Sequence, residues 1–316
     1  MCVTDLKQQA AELVRNGIRG TTKSTYSTAQ KRFLKFCDDY ELSPIPCSHQ
    51  TILLYVTYLH NAGLTANSVS VYISAVRSLH VLAGLPEPEL RTPQVKLALK
   101  AMVAKNPPLR KKLPITYDML KNMLSLLAKF PDRLMWSALL TLAFFAGLRG
   151  VEYVGQSDQT ATTVGQLQFG PDPINIMYFT LLTSKTTTHG FTIPLGCSRS
   201  PVCALCAMIG YLNNRYKQQS YDSGSKLFVF HNGTWVNKSH VNALIKMLVK
   251  AMGLDPSHYS AHSIRAGAAT TAAHCGFSDW EIMRVGGWKS RTYRDYIRNL
   301  DSHVAGFSAR MAGNQS

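Results

Sequence analysis

The chain has 316 residues, a length that favours about two domains, and 46% of its residues are hydrophobic, enough to build their cores. Charged residues make up only 16%, which argues against a largely disordered chain. The 34 Lys and Arg residues outnumber the 18 Asp and Glu residues, and the net charge of +16 suits a polyanion, either nucleic acid or an anionic membrane surface, rather than a neutral metabolite.

The first third of the sequence predicts helices with short connectors. Apolar side chains recur at helical spacing in residues 22–40 and 51–60, and Thr65 is placed to cap a further helix. We therefore predict a helical N-terminal domain over residues 1–105, with residues 1–20 as a candidate flexible segment. Four basic side chains of the first helix form either a solvated face or contacts to DNA phosphates: Lys23, Lys31, Arg32 and Lys35.

A basic, proline-rich linker is predicted at residues 106–114. Three prolines and four basic residues fall within residues 105–114, a composition typical of an extended connector. Arg110, Lys111 and Lys112 are candidate DNA contacts, because a linker between two basic domains could follow a duplex backbone.

Residues 115–316 predict a second domain that is mostly helical and contains a small antiparallel sheet. The helical patterns are 116–130, 132–146, the segment from 202, and 239–311. The strand patterns are 174–182 and 191–195, which form a hairpin, and a short piece at 226–230. The predicted fold class is therefore mainly α, with an all-helical first domain and an α+β second domain.

The most apolar window, residues 134–148, bears on the membrane alternative. It is 15 residues long and contains Ser137 and Thr141, whereas a membrane span needs roughly 20 apolar residues. The first residues, MCVTDLKQQAAELVRNG, also lack the apolar stretch of a secretory signal. We therefore expect a buried helix at 134–148, no membrane partner and no secretion.

Seven cysteines are scattered along the chain, and their odd number argues against a disulfide framework. A reducing compartment, cytosol or nucleus, is expected. Cys203 and Cys206 form a C-x-x-C, but without a second Cys/His pair at finger spacing this is a weak zinc signal. We expect both cysteines to pack on the face of an amphipathic helix over residues 201–215, and we predict no metal.

The first candidate functional residues along the chain follow the apolar window at 134–148. Arg149 follows that window directly and is either a helix-end cap or a positioned anion clamp, which Glu152 could orient. Lys185 lies near the tip of the predicted hairpin, where a solvated turn lysine is the commoner role.

Further candidates lie near the end of the chain. His262 and Arg265 share one helix face at spacing i, i+3, among small residues that allow another surface to pack close. Trp288 follows two glycines, and its indole N–H can donate a hydrogen bond, although core packing is its usual role. Tyr293 and Tyr296 are predicted on an arginine-rich helix, where tyrosines are ordinarily structural.

Three segments in this order carry a resemblance: HSIRAGAA from His262, EIMRVGGWKS from Glu281, and YIRNLD from Tyr296. Together with GLRGVE around Arg149, they resemble the tyrosine recombinases of the phage integrase family. The form is most similar to Cre-like members and to recombinases of eukaryotic mobile elements of the DIRS and Crypton kinds. The resemblance covers roughly residue 22 to the end, and the C-terminal segments are its most specific part.

The resemblance implies a SAM-like, core-binding N-terminal domain and a catalytic domain over 115–316, with no cofactor. It implies a double-stranded DNA partner and a tetramer on two DNA sites. The apolar stripe of the last helix, residues 302–311, either packs on its own domain or, as the resemblance favours, docks into a neighbouring protomer. The resemblance also favours the nucleus if the host is a eukaryote, and the cytoplasm otherwise.

Lys289 and Arg291 join the candidate DNA contacts. The implied catalytic residues are Arg149, supported by Glu152, and Lys185, His262, Arg265, Trp288 and Tyr296, with Tyr293 as the rival nucleophile.

This residue set suits phosphodiester cleavage without a metal ion or ATP. Two arginines can neutralise the charge that develops on phosphate oxygens, and a tyrosine can attack phosphorus. The sequence therefore predicts a site-specific recombinase that uses a 3′-phosphotyrosine intermediate. The alternatives are a DNA-binding protein that has lost catalysis and a strand-relaxing activity of the type IB topoisomerase kind. A zinc protein built on Cys203 and Cys206 has little support.

Overall fold

The computed structural model describes residues 2–18, 20–105, 112–171, 175–182, 190–218, 220–288 and 290–297. The chain divides into two compact units, Met1–Leu109 and Arg110–Ser316, each with its own apolar core. The boundary between them lies inside the predicted linker. Residues 106–111 of that linker and the predicted last helix, 302–311, lie outside the described residues.

Helices alone build the described part of the first unit. They are α1 (Val3–Asn16), α2 (Gly20–Asp39), α3 (His49–Asn61), α4 (Ala66–Leu82) and α5 (Pro93–Lys105). The predicted helices at 22–40 and 51–60 and the Thr65 cap are confirmed, because the Ser68 N–H donates to Thr65 Oγ1 at 3.3 Å. The sequence pattern did not predict α5. In the candidate flexible segment, α1 has no buried side chain.

The core of the first unit is aromatic. Phe33 and Phe36 of α2 face Tyr55 of α3, with ring centroids 5.0 Å apart in both pairs. Arg32 lies beside this cluster, and its guanidinium carbon is 5.5 Å from the centroid of the Tyr58 ring. Its aliphatic stem and charge are therefore used in packing on aromatic rings.

The second unit contains the sheet and the remaining helices. The helices are α6 (Tyr117–Leu127), α7 (Arg133–Phe145), α8 (Gly150–Val154), α9 (Ala204–Gln218), α10 (Lys238–Ala251), α11 (Ala261–His274) and α12 (Asp279–Val285). Short 3-10 helices lie at Asp158–Thr160, Val164–Gln166, Pro256–His258 and Arg291–Asp295. The predicted buried helix at 134–148 is confirmed as α7, which stops where Gly147 adopts a positive φ of 58°. Among the described residues, no helix combines the length and apolarity that a membrane span requires.

The sheet has three antiparallel strands in the order β1 (Leu167–Phe169), β2 (Ile176–Leu181) and β3 (Phe191–Gly196). Buried residues alternate along β2, which places one face of the hairpin on the core. The two predicted hairpin strands are confirmed. Residues 183–189 between them, including Lys185, lie outside the described residues.

The predicted strand at 226–230 is wrong. This segment forms only isolated bridges, Thr163 with Lys226 and Val229 with Trp235. The chain reverses immediately afterwards, because the Phe230 N–H donates to the Thr234 carbonyl at 2.9 Å and Gly233 takes a positive φ of 81°. The segment is therefore too short on either side of the turn to build a ladder.

Close packing of α11 explains its small residues. The Ile115 N–H donates to the Ser263 carbonyl at 2.9 Å, which draws the chain before α6 onto α11. A Cβ atom at Gly267 would lie 1.7 Å from the Ile115 carbonyl oxygen. The close approach that the sequence predicted around residues 266–269 is therefore present, and it requires glycine at position 267.

Gly267→Ala is expected to destabilise the protein by about 1–3 kcal/mol, because the backbone of Ile115 must move to admit the methyl group. Gly210→Ala is the matched control, since Gly210 also lies within a helix but has open space around its Cα. That control should be stabilising by up to about 1 kcal/mol through helix propensity. Urea unfolding of the two variants measures the difference, and equal unfolding midpoints would contradict the packing argument.

Candidate active site

Arg149 is placed by the sharp turn after α7. Gly147 turns the chain, Leu148 is buried, and Arg149 becomes the residue that precedes α8. Glu152 holds it twice: Oε1 accepts from Arg149 Nη1 at 2.7 Å, and Oε2 accepts from the Arg149 backbone N–H at 2.7 Å. The sequence-predicted contact between the two residues is present. Glu152 is itself buried, so this ion pair is largely shielded from water.

Arg265 is the largest fully buried side chain among the described residues, with 0% exposure. Its Nη1 donates to the Gly147 carbonyl and lies 3.9 Å from Glu152 Oε2. Burial, followed by the positive charge of Arg149, lowers the pKa of Arg265, while Glu152 and the Tyr296 phenol oppose this shift. A guanidinium keeps its charge at neutral pH despite such a shift. Two positive charges therefore converge on one carboxylate that cannot fully neutralise both.

Trp288 covers the Arg265 guanidinium, whose central carbon lies 3.8 Å from the centroid of the indole ring. The ring fits because Gly286 makes room for it, since a Cβ atom there would lie 1.6 Å from the ring. A Cβ atom at Gly287 would instead lie 2.5 Å from the ring of Phe191. Of the two glycines that the sequence singled out, Gly286 is therefore the steric requirement of the Arg265–Trp288 stack.

Buried donors in this cluster lack partners. Nε and Nη2 of Arg265 and the indole Nε1 of Trp288 have no hydrogen-bond acceptor among the described residues. Native proteins leave few buried polar groups unsatisfied. Three such donors in one contact cluster, together with the cation of Arg149, are the arrangement expected of an anion-binding site.

Tyr296 contacts the same cluster. Its ring centroid lies 5.0 Å from that of His262 and 6.0 Å from that of Trp288, and the Arg265 guanidinium carbon is 6.0 Å from it. Tyr296 is half-buried and His262 is exposed at the start of α11. The structure therefore brings together five of the six predicted catalytic residues with Glu152, and the sixth, Lys185, lies outside the described residues.

Tyr293 also packs on Trp288, with ring centroids 6.0 Å apart, but its hydroxyl is bonded elsewhere. It is 1% exposed, and its hydroxyl donates to Asp279 Oδ1. The predicted continuous helix carrying both tyrosines is wrong: a 3-10 helix ends at Asp295, and Tyr296 follows it with its N–H bonded to the Tyr293 carbonyl at 2.8 Å. The Tyr293 hydroxyl is therefore bonded to Asp279, whereas the Tyr296 ring lies against His262.

Asp279 anchors this turn and was missed by sequence reasoning. Besides Tyr293, its Oδ2 accepts from Arg294 Nη2 at 2.6 Å and lies 3.1 Å from Arg291 Nε. The pKa of Asp279 is lowered, mainly by the hydrogen bond from Tyr293 and further by the positive charge of Arg294. The partners lie 12 to 15 residues along the chain, so no local spacing reveals the network.

Asp279→Asn is expected to remove an acid-sensitive part of the stability. The pKa of Asp279 is lower in the folded protein than in the unfolded chain, where it is about 3.9. Its contribution to the free energy of unfolding is therefore fully present above the unfolded-state pKa and is lost as the pH falls through the folded-state pKa. The stability gap between wild type and variant should therefore be constant above about pH 5 and shrink below about pH 4. Urea unfolding across pH measures it, and a gap that persists to low pH would contradict this role.

The predicted DNA contacts fall into three groups. Lys23 and Lys31 are exposed on α2, while Lys35 pairs with Asp39 at 2.8 Å. Lys112 donates to the Ser257 carbonyl, and Arg291 pairs with Asp279. Exposed i, i+4 ion pairs are weak, so Lys35 can exchange Asp39 for a phosphate at little cost. Three of the predicted DNA contacts lie outside the described residues: Arg110, Lys111 and Lys289.

The C-x-x-C pair differs from its prediction. Cys203 is buried, but Cys206 is exposed rather than packed on the apolar face of α9. Cys197, six residues before Cys203, joins the pair, with its Sγ 3.7 Å from Cys206 Sγ and 3.9 Å from Cys203 Sγ. Among the described residues, the side chains that could ligate a metal ion come close enough together at these three cysteines, whose sulfur atoms all lie within 4.8 Å of one another.

Sequence comparison finds two matches along the chain. Residues 115–303 match the phage integrase family, and residues 11–84 match the phage integrase N-terminal SAM-like domain. A curated relative, an integrase/recombinase XerD homolog from Selenomonas ruminantium, is 25% identical over 274 residues, which are 83% of this chain and 76% of the relative.

Solved structures share the fold. The Tn1549 transposon integrase, in complex with transposon right end DNA, has a TM-score of 0.63 at 15% identity, over 96% of this chain and 98% of that one. The XerH site-specific recombinase bound to its difH substrate has a TM-score of 0.62 at 15% identity, over 96% and 84%. A lambda integrase dimer bound to a core site has a TM-score of 0.59 at 15% identity, over 94% and 96%. With the family match covering more than half of its length, the chain belongs to the phage integrase family, the tyrosine recombinases that break and rejoin DNA.

Proposed function

We propose that this protein is a site-specific DNA recombinase that cuts and rejoins strands through a 3′-phosphotyrosine at Tyr296. The observation that carries the proposal is the convergence of Arg149, Arg265 and Trp288 beside the Tyr296 ring. The high positive charge of the chain and the DNA-bound state of its structural relatives support double-stranded DNA as the partner.

Charge stabilisation is the task of the two arginines. When a phenol oxygen attacks phosphorus, negative charge grows on the non-bridging oxygens of the phosphate. Both arginines present their donors before the reaction begins. Glu152 holds Arg149 in place, and the Gly147 carbonyl and the Trp288 ring hold Arg265. Preorganised donors need no rearrangement as the charge develops, which is why they lower the barrier more than solvent does.

Proton transfer completes the step. A phenol has a pKa near 10, so Tyr296 needs a base or a stabilising charge at neutral pH. His262, whose ring is 5.0 Å from that of Tyr296, and the Arg265 cation are the neighbouring groups suited to this. The Tyr296–phosphorus bond forms as the bond to the 5′ oxygen breaks, and Lys185 would supply the proton that this oxygen takes up.

The covalent adduct conserves the energy of the phosphoester. A 5′ hydroxyl from a second strand can attack it and release the tyrosine, so strand exchange requires no ATP and no metal in the chemical step. Exchange between two sites requires two cleaved duplexes in one assembly. We therefore propose a tetramer on two DNA sites, supported by the family resemblance.

The test is a trapping assay with nicked duplexes tiled across the DNA that flanks the protein's own gene. Cleavage next to the nick loses a short strand, so religation fails and a covalent protein–DNA species accumulates. We expect this species in EDTA as well as in Mg²⁺. DNA binding without any covalent species would identify a protein that has lost catalysis, and relaxation of supercoiled DNA without strand exchange between two sites would indicate a topoisomerase-like activity.

A further inference from the structure

We propose that Cys197, Cys203 and Cys206 form a binding site for a thiophilic metal ion of the Zn²⁺ class. The three sulfur atoms lie within 4.8 Å of one another, at the junction between β3 and α9. This site does not depend on the proposed recombination chemistry, and it adds a structural ion to a catalytic domain whose chemical step uses none.

The sulfur spacing matches tetrahedral coordination. Zinc–thiolate bonds are about 2.3 Å long, so two sulfurs of a tetrahedral site lie about 3.8 Å apart. The Cys197–Cys206 and Cys197–Cys203 sulfur separations are 3.7 Å and 3.9 Å. The Cys203–Cys206 separation lies within 4.8 Å, so small side-chain rotations would bring all three sulfurs to one ion.

The local backbone explains why the sulfurs converge. The Cys197 N–H donates to the Asn175 carbonyl at 2.8 Å, which holds the residue at the end of the sheet. Cys203 directly precedes α9, and Cys206 lies in its first turn, where its N–H donates to Cys203 Sγ at 3.5 Å. Backbone N–H groups and the positive end of a helix both favour sulfur in its thiolate form.

The ligand type selects the metal. Three sulfurs without a carboxylate favour Zn²⁺ or Cu⁺ over Mg²⁺ or Ca²⁺, which require oxygen. Cys203 is buried whereas Cys206 is exposed, so the ion would face solvent on one side and take a water molecule there as its fourth ligand.

The position of the site gives the ion a structural role. It would join the end of β3 to the start of α9, and α9 packs along α7, whose C-terminal turn leads to Arg149. Strands β2 and β3 flank the segment that contains Lys185. A bound ion would therefore stiffen the base of the hairpin.

Metal titration of the full-length, reduced and metal-free protein tests the site. One equivalent of Co²⁺ should produce a strong thiolate-to-cobalt absorption band, which Zn²⁺ then displaces. A residue that only supports a metal ligand through a hydrogen bond typically contributes about 10–100-fold to the affinity. Cys206→Ser removes a ligand itself, so it should weaken Zn²⁺ binding by at least about 100-fold. Cys275→Ser is the matched control, because Cys275 is also exposed but lies at the end of α11. It should bind like wild type, and only wild type and this control should gain thermal stability from Zn²⁺.

A second measurement needs no variant. Zn²⁺ should protect the accessible thiols Cys197 and Cys206 of the wild-type protein from alkylation while Cys2 and Cys275 remain reactive. The proposal is overturned if wild type shows no cobalt band, if Cys275→Ser loses as much affinity as Cys206→Ser, or if Zn²⁺ leaves Cys197 and Cys206 as reactive as before. None of these readouts involves DNA cleavage, so the failure of the metal site is distinguishable from the failure of the recombinase function.

Discussion

Tyr296→Phe is expected to abolish the covalent protein–DNA species while DNA binding stays within a few-fold of wild type. The substitution removes one oxygen atom and keeps the ring that packs against His262 and Trp288. Loss of a catalytic nucleophile in other covalent enzymes costs on the order of 10⁶-fold in turnover. Adduct formation on the nicked duplexes and a gel-shift titration measure the two effects.

Tyr293→Phe is the matched control for this substitution. It also removes a single phenol oxygen, but one that donates to Asp279 and supports the turn before Tyr296. We expect reduced stability and a slower reaction, with the covalent species still present. The nucleophile assignment would be reversed if the Tyr293→Phe protein bound DNA without forming the adduct while the Tyr296→Phe protein still formed it.

Arg265→Ala is expected to slow cleavage by at least about 10²- to 10³-fold, the usual effect of removing one preorganised donor from a developing oxyanion. The loss should be larger here because the cation also stacks on Trp288 and lies near Glu152. Arg265→Lys should restore little, since an ammonium group keeps the charge but lacks the planar fork of donors. Single-turnover cleavage rates measure both variants.

Two comparisons separate this charge effect from simple misfolding. Arg284→Ala removes an exposed arginine that also lies over an indole ring, that of Trp280, and it should cleave at the wild-type rate. A DNA with an uncharged methylphosphonate at the cleavage position needs less charge stabilisation, so the penalty of Arg265→Ala should shrink on it. An equal penalty on the charged and uncharged substrates would show that Arg265 does not act on phosphate charge.

Local patterns predicted much of this fold because they report local physics. Apolar spacing located α2, α3 and α7, and Thr65 caps a helix as hydroxyl side chains do. Alternating burial in β2 reflects the two faces of a strand. The pairing of Arg149 with Glu152, three residues apart, was predictable for the same reason.

Contacts that join distant segments were not predictable in this way. Arg265 bonds to the carbonyl of Gly147, 118 positions earlier, and no side-chain pattern indicates a backbone acceptor. The Asp279 network depends on how the turn after α12 folds back. Cys197 could have been found, because it precedes the C-x-x-C by six residues, but convergence of the three sulfurs depends on where β3 ends.

Peptide mapping of the trapped adduct tests the central claim most directly, because trypsin places the two tyrosines in different peptides. Cleavage after Arg291, Arg294 and Arg298 puts Tyr293 in residues 292–294 and Tyr296 in residues 295–298. After nuclease digestion, mass spectrometry should find the residual nucleotide on Tyr296 in peptide 295–298. A nucleotide on peptide 292–294, or on any residue other than Tyr296, would contradict a site in which Arg149 and Arg265 act on a phosphate attacked by that phenol.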